Sequence, residues 1–260
     1  MSIKKVVHTK QIILYLDTNP IKYIQFSSVF MKNKLVWISI FAISMAFLES
    51  TIVVYLRELY YQDNIQNIFP LKFLTQINYS LEIGREISTL LMIFSVAVLV
   101  SGVSISKAFI TFLYIFGLWD IFYYIWLKLI IGWPVSLFEW DVLFLVPSIW
   151  LAPWICPVLI SLVFVIWSLI VLQYNLHFSF SYKRFILFII GSLLDFTAFL
   201  QPGIAMYVEK GQQGLVEFKP DSFWWELFLL GYFLIIVSLI SQISFNKKIM
   251  KKRNNSANTF

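Results

Sequence analysis

The sequence predicts an all-α fold: a six-helix transmembrane bundle with an interfacial or re-entrant Trp/Pro-rich element between helices 3 and 4. Three observations predict it: the composition, six apolar stretches of bilayer-spanning length, and the uneven placement of Lys and Arg. Of 260 residues, 60% are hydrophobic and 13% charged, where soluble domains carry about 25% charged residues. The mean hydropathy is +0.80, so the solvent for this chain is lipid. A span needs about 20 mainly apolar residues to cross roughly 30 Å of hydrocarbon, and barrel strands would be shorter and alternating.

In chain order, residues 1–34 form a cytoplasmic N-terminal segment. Ile12, Ile13, Leu14 and Leu16 among its lysines point to an amphipathic stretch on the membrane surface. Its apolar runs are too short for a cleavable signal peptide, so the first helix is expected to serve as the insertion signal. Within a transmembrane domain of residues 35–245, the spans are expected at 35–56, 80–103, 108–131, 154–172, 185–206 and 223–245. Residues 132–153 are too apolar for an ordinary loop and are broken by Pro134, Pro147 and Pro153. They read either as a helix lying flat on the outer surface or as a re-entrant hairpin lining a cavity. Gln201, Pro202 and Gly203 are expected to break or fray helix 5 near its outer end. Residues 246–260 form a basic cytoplasmic tail, expected to be solvated and disordered over its last ten residues.

Orientation follows from the cations. Lys4, Lys5, Lys10, Lys22, Lys32, Lys34, Lys107, Lys183, Arg184, Lys247, Lys248, Lys251, Lys252 and Arg253 fall on one side. Only Arg57, Lys72, Arg85, Lys128, Lys210 and Lys219 fall on or toward the other. Both termini are therefore expected in the cytoplasm, which requires an even number of spans. Trp126, Trp133, Trp140, Trp150, Trp154, Trp224 and Trp225 then gather near the outer interface, where indole rings are favoured.

Several functions are excluded at this stage. The net charge of +6 lies at helix ends rather than in a basic run interleaved with aromatics, so nucleic acid is not a partner. A single cysteine, Cys156, rules out an internal disulfide, and His8 and His177 are too few for a Cys/His zinc site. With no histidine in a span, a Ser-His dyad, an HExxH zinc site and the prenyl-protein peptidase pattern are all ruled out. No metal or cofactor is assigned, although an all-carboxylate site for Mg or Ca would survive. The charged helices 1 to 3 have no counterpart in helices 4 to 6, which argues against an inverted-repeat transporter.

Ionisable residues inside spans are costly and mark either function or a paired network. At 1.5 Å rise per residue, Glu49 lies about 21 Å from the cytoplasmic end of its span, Asp120 about 20 Å, and Glu86 about 9 Å below the outer end. The three carboxylates thus share a level in the outer half of the membrane. Ala42, Ala46, Glu49 and Val53 form a small-residue stripe of the kind that faces other helices. Glu82, Arg85, Glu86 and Thr89 share one helix face, and so do Asp120, Tyr123, Tyr124 and Lys128. Arg85 is the expected hub for Glu49, Glu82, Glu86 and Asp120, with Arg57 and Lys128 at the rim. Carboxylates outnumber bases there, so either one carboxyl carries a proton or a cation fills the deficit. Asp195 stands apart, with Gly191, Ser192 and Thr197 near it and no base. Glu226, Glu139 and Asp141 are expected to be solvated near the interface.

The candidate ligand-binding residues are therefore Glu49, Glu82, Arg85, Glu86, Asp120, Tyr124 and Asp195. They fit an outward-facing site for a cation or small polar ligand. They also fit a membrane enzyme acting on a lipid-linked substrate through carboxylates or a hard metal, or a non-catalytic subunit of a membrane complex. A salt-bridge lock holding helices 1 to 3 together needs no ligand at all. The segments LESTIVVYLRELYY, GREIST, FGLWDIFYY and GWPVSLFEWDVLFLVP resemble those of small bacterial multi-pass inner-membrane proteins described only as uncharacterised. That resemblance covers helices 1 to 4 and implies a bacterial inner-membrane location; the expected partners, read from the residues, are the lipid bilayer and, for the subunit reading, a membrane protein. It assigns no activity and no catalytic residue.

Overall fold

A computed structural model of the chain describes residues 20–72, 74–102, 104–174, 181–211, 214, 218 and 222–257, with side chains between 33 and 243. Along them run α1 (Pro20–Tyr60), α2 (Gln76–Ser101), α3 (Ile105–Ile131), β1 (Trp140–Phe144), β2 (Trp150–Pro153), α4 (Ile155–Gln173), α5 (Tyr182–Lys210) and α6 (Trp225–Ala257). Six stretches are long and apolar enough to cross a bilayer: Asn33–Tyr60, Gln76–Ser101, Ile105–Ile131, Ile155–Gln173, Tyr182–Lys210 and Trp225–Ile243. Outward-facing Trp37, Leu48, Leu99 and Ile105 are exposed, while Glu49, Arg57, Glu86, Asp120 and Asp195 are buried. This inverts the pattern of a soluble domain and is that of a multi-pass transmembrane protein.

Helix ends differ from the sequence expectation where local chemistry decides. α1 begins at Pro20, a residue pre-set for the first helical turn, so part of the N-terminal segment is helical. The amphipathic stretch around Ile12 lies outside the described residues. α6 continues to Ala257, which makes the basic tail helical through that residue rather than disordered; its Lys, Met and Arg residues are good helix formers and no Gly or Pro interrupts them. α5 likewise runs through Pro202, whose neighbour Gly203 is pressed against Ile149 of the β1–β2 turn. Thr75 and Ser104 cap α2 and α3 by accepting hydrogen bonds from the backbone N–H of Asn78 and Lys107. At the far ends, Gly102 (φ 63°) and Gly132 (φ 73°) adopt the positive φ that lets each N–H reach back, to the Val98 and Lys128 carbonyls.

Small residues set the helix packing. The α1 stripe is buried at Ala42, Ala46 and Glu49, where Ser50 donates to the Tyr123 carbonyl at 3.1 Å and Trp126 to the Ile43 carbonyl at 3.2 Å. α1 thereby lies along α3, and α3 in turn contacts α2 and α4. A Cβ on Gly117 would sit 2.7 Å from the Ser161 carbonyl, and one on Gly191 would sit 2.7 Å from the Gly231 carbonyl. These two close crossings join α3 to α4 and α5 to α6.

The Pro/Trp-rich segment is a β-hairpin, not a helix lying flat. β1 and β2 pair antiparallel, Trp140 opposite Pro153, Asp141 opposite Ala152 and Val142 opposite Leu151, with an irregularity between Val142 and Phe144. Prolines bound it and its strands are rich in aromatic and branched residues, which suit a pleated strand better than a helix. β2 packs on α5, and Leu151 and Ala152 are fully buried.

Candidate functional site

The helix faces read from the sequence converge, but not on one hub. From α2, Arg85 donates through Nε to Glu82 at 3.0 Å, with Nη2 2.9 Å from the same carboxylate, and through Nη1 to Glu49 of α1. Thr89, one turn along α2, donates to the other Glu49 oxygen. With those contacts the Arg85 fork is occupied, and Glu86 and Asp120 take other partners. Both Glu86 oxygens accept from the backbone N–H of Leu145, at 3.0 and 2.9 Å, a donor freed where the β-ladder ends. Asp120 accepts from Ser161 of α4 at 2.8 Å. Each candidate carboxylate on α1 to α3 except Glu82 thus ties two different elements together.

Two further corrections concern the rim. Lys128 does not reach the cluster: its Nζ donates to the Gly132 and Pro134 carbonyls at 3.0 and 2.7 Å, closing the end of α3. Arg57 and Asp141, by contrast, are central. Both are only 3% exposed, and Arg57 Nη2 lies 3.4 Å from Asp141 Oδ1. Asp141 is therefore not solvated; strand alternation turns it inward from the hairpin toward α1. The Arg57 guanidinium sits 4.0 Å from the centroid of the Trp133 ring, a cation–π contact that also buries Trp133 rather than leaving it at an interface. Arg57 Nη1 and Asp141 Oδ2 make no hydrogen bond. Tyr124, buried on α3 and packed against Trp154 at 5.3 Å between ring centroids, faces this carboxylate without closing a hydrogen bond on Oδ2. Burial pushes the Asp141 carboxyl up to about 6, with Arg57 opposing the shift.

Asp195 on α5 is 2% exposed. It is packed against Gly231 of α6 and faces the Tyr232 backbone, and neither of its oxygens closes a hydrogen bond. None of the described Lys, Arg or His residues forms an ion pair with it. Glu226 lies in the first turn of α6 and is exposed, as expected.

One cavity of about 1270 Å³ connects these groups. Its charged wall carries Glu49, Arg57, Glu82, Arg85, Glu86, Asp120 and Asp141, with Lys72 from the α1–α2 loop. Apolar residues line it too, among them Phe116, Phe164, Ile189, Leu193, Phe196, Phe199 and Ile235, together with Asp195. Residues Val142 to Leu145 and Ser148 to Trp150 of the hairpin line it as well. Among the described residues, no three His, Cys, Asp or Glu side chains are grouped to hold a metal ion. Comparison with protein-family models, curated proteins and solved structures found no match to this chain.

Proposed function

We propose that this transmembrane protein binds an amphiphile, whose polar group lies against the charged lining of the cavity while its chain lies along the apolar lining. The observation that carries the proposal is the continuity of the two in one cavity of about 1270 Å³, larger than the roughly 300–1,000 Å³ typical of small-molecule sites. A bare cation or small polar solute, the other reading of the acidic excess, leaves the apolar lining without a role, and most of the carboxylates are already engaged by protein donors. Glu49, Glu82, Arg85, Glu86 and Asp120 act in this reading as the frame of the cavity. Arg57, Asp141 and Asp195 keep buried polar atoms without partners, the state expected of groups that meet a ligand.

The placement of Lys and Arg supports cytoplasmic termini, so that the charged end of the cavity opens toward the opposite face, and the resemblance of helices 1 to 4 supports a bacterial inner membrane. In a Cys156→Ser background, Asn255→Cys is expected to react with a membrane-impermeant maleimide only after the membrane is opened; labelling of intact cells would reverse the orientation. The binding proposal is tested by native mass spectrometry of the protein released from lipid nanodiscs. Wild type is expected to retain a bound lipid, and Ser192→Trp, which places an indole in the cavity wall, is expected to lose it. A wild-type protein that emerges without lipid, in a folded state, would refute binding.

A further inference from the structure

We infer that Arg57 and Asp141 form the head-group subsite, and that the head group they accept is uncharged and bears hydroxyls, as a sugar does. This rests on the amphiphile reading and narrows it. The pair is buried beside Tyr124 and lines the cavity, yet its ion-pair contact is long at 3.4 Å and uses one nitrogen and one oxygen. A donor, Arg57 Nη1, and an acceptor, Asp141 Oδ2, are left over on the two partners of the same pair. The face of Trp133, 4.0 Å away, holds the guanidinium in place.

The chemistry of the two leftover atoms selects among head groups. A hydroxyl accepts from the guanidinium and donates to the carboxylate, so one group satisfies both. A phosphate would satisfy Arg57 but meet Asp141, with Glu49, Glu82 and Glu86 lining the same cavity; of the cations that could offset it, Arg85 is already held by two carboxylates and Lys72 lies in the α1–α2 loop over the Tyr61 ring. An ammonium would satisfy Asp141 but leave the Arg57 donor buried and unpaired, a costly state. Of these three, the hydroxyl alone leaves neither partner stranded.

The test uses the full chain in nanodiscs made with equal shares of a monoglucosyl diacylglycerol, a phosphatidic acid and a diacyl trimethylammonium-propane, with the retained lipid read by native mass spectrometry. The glucosyl lipid is expected to be enriched at least about tenfold, the least that one hydrogen bond to a charged group contributes. Arg57→Met/Asp141→Leu, which removes the pair together, is expected to keep lipid but lose the preference. Should that variant fail to fold, Asp141→Asn serves in its place and is expected to reduce the enrichment. Enrichment of the anionic or cationic lipid, equal retention of all three, or a preference that survives the substitutions would overturn the subsite while leaving amphiphile binding intact. No retained lipid in wild type would overturn both.

Discussion

Substitution of Arg85 by alanine removes, among the described residues, the cation that holds Glu49 and Glu82, and the structure fixes what should follow. Glu49 is 5% exposed, so losing Arg85 leaves a carboxylate buried with Thr89 as its remaining donor. Breaking a buried ion pair costs about 3–5 kcal/mol. The Arg85 side chain is 22% exposed, and water reaching the vacated site favours the lower end, about 3 kcal/mol. For a chain of this length that corresponds to a fall of about 6–12 °C in the unfolding midpoint, measurable by thermal denaturation in detergent or by steric trapping in bicelles. The discriminating step is a second substitution. In the Arg85→Ala background, Glu49→Gln removes the stranded charge and is expected to recover roughly half of the loss, whereas Glu86→Gln, which removes an acceptor from the Leu145 N–H, is expected to destabilise further. Equal rescue by the two would show that Arg85 does not choose between them, and the division of the carboxylates described above would be wrong.

Glycine positions give predictions of opposite sign. Gly117→Ala would drive its Cβ to 2.7 Å from the Ser161 carbonyl and is expected to cost about 1–3 kcal/mol, while Gly84→Ala, with nothing within 4 Å, is expected to stabilise by about 0.5–1 kcal/mol; thermal unfolding of the two variants checks both. Asp141 supplies a pH dependence. Its carboxyl is raised from 3.8 to about 6 in the folded protein, so the folded state binds the proton more tightly than the unfolded one. That contribution to stability is fully present below about pH 4 and is lost as pH rises through 6, to a total of about 3 kcal/mol. The difference between wild-type and Asp141→Asn stability profiles over this range is expected to show that slope, and a flat difference would count against the burial of the carboxyl. Cys156, fully buried, is expected to resist a water-soluble maleimide until the protein unfolds, as mass spectrometry would report.

The six spans were legible because bilayer thickness imposes a length and an apolar composition that nothing else in a 260-residue chain imitates. The shared face of Glu82, Arg85, Glu86 and Thr89 was legible too, since helical spacing alone puts them together. What spacing cannot carry is the choice of partner. Glu82, Glu86 and Glu49 are all within a carboxylate's reach of an arginine by depth and face, and only the position of the hairpin turns Glu86 to the Leu145 N–H. Asp120, expected to meet Arg85, instead accepts from Ser161 at 2.8 Å, because a serine on a helix with no charges gives no sequence signal as a partner. Arg57, expected at the rim, and Asp141, expected to be solvated, instead form a buried pair. Reading Trp140 to Phe144 as a strand, from its alternation and its bounding prolines, would have turned Asp141 away from its neighbours and made a buried partner for it necessary.

The spacing of these contacts along the chain also bears on how the protein is made. Glu49 and Arg85 are 36 residues apart, Asp120 and Ser161 are 41 apart, but Arg57 and Asp141 are 84 apart. At about 5–20 residues per second of synthesis, Arg57 leaves the ribosome roughly 4 to 17 s before its counter-ion exists. Throughout that interval α2 and α3 are made and inserted while the carboxylate that Arg57 meets in the folded protein has yet to be synthesised. The hairpin, arriving after three helices, is what ends the wait.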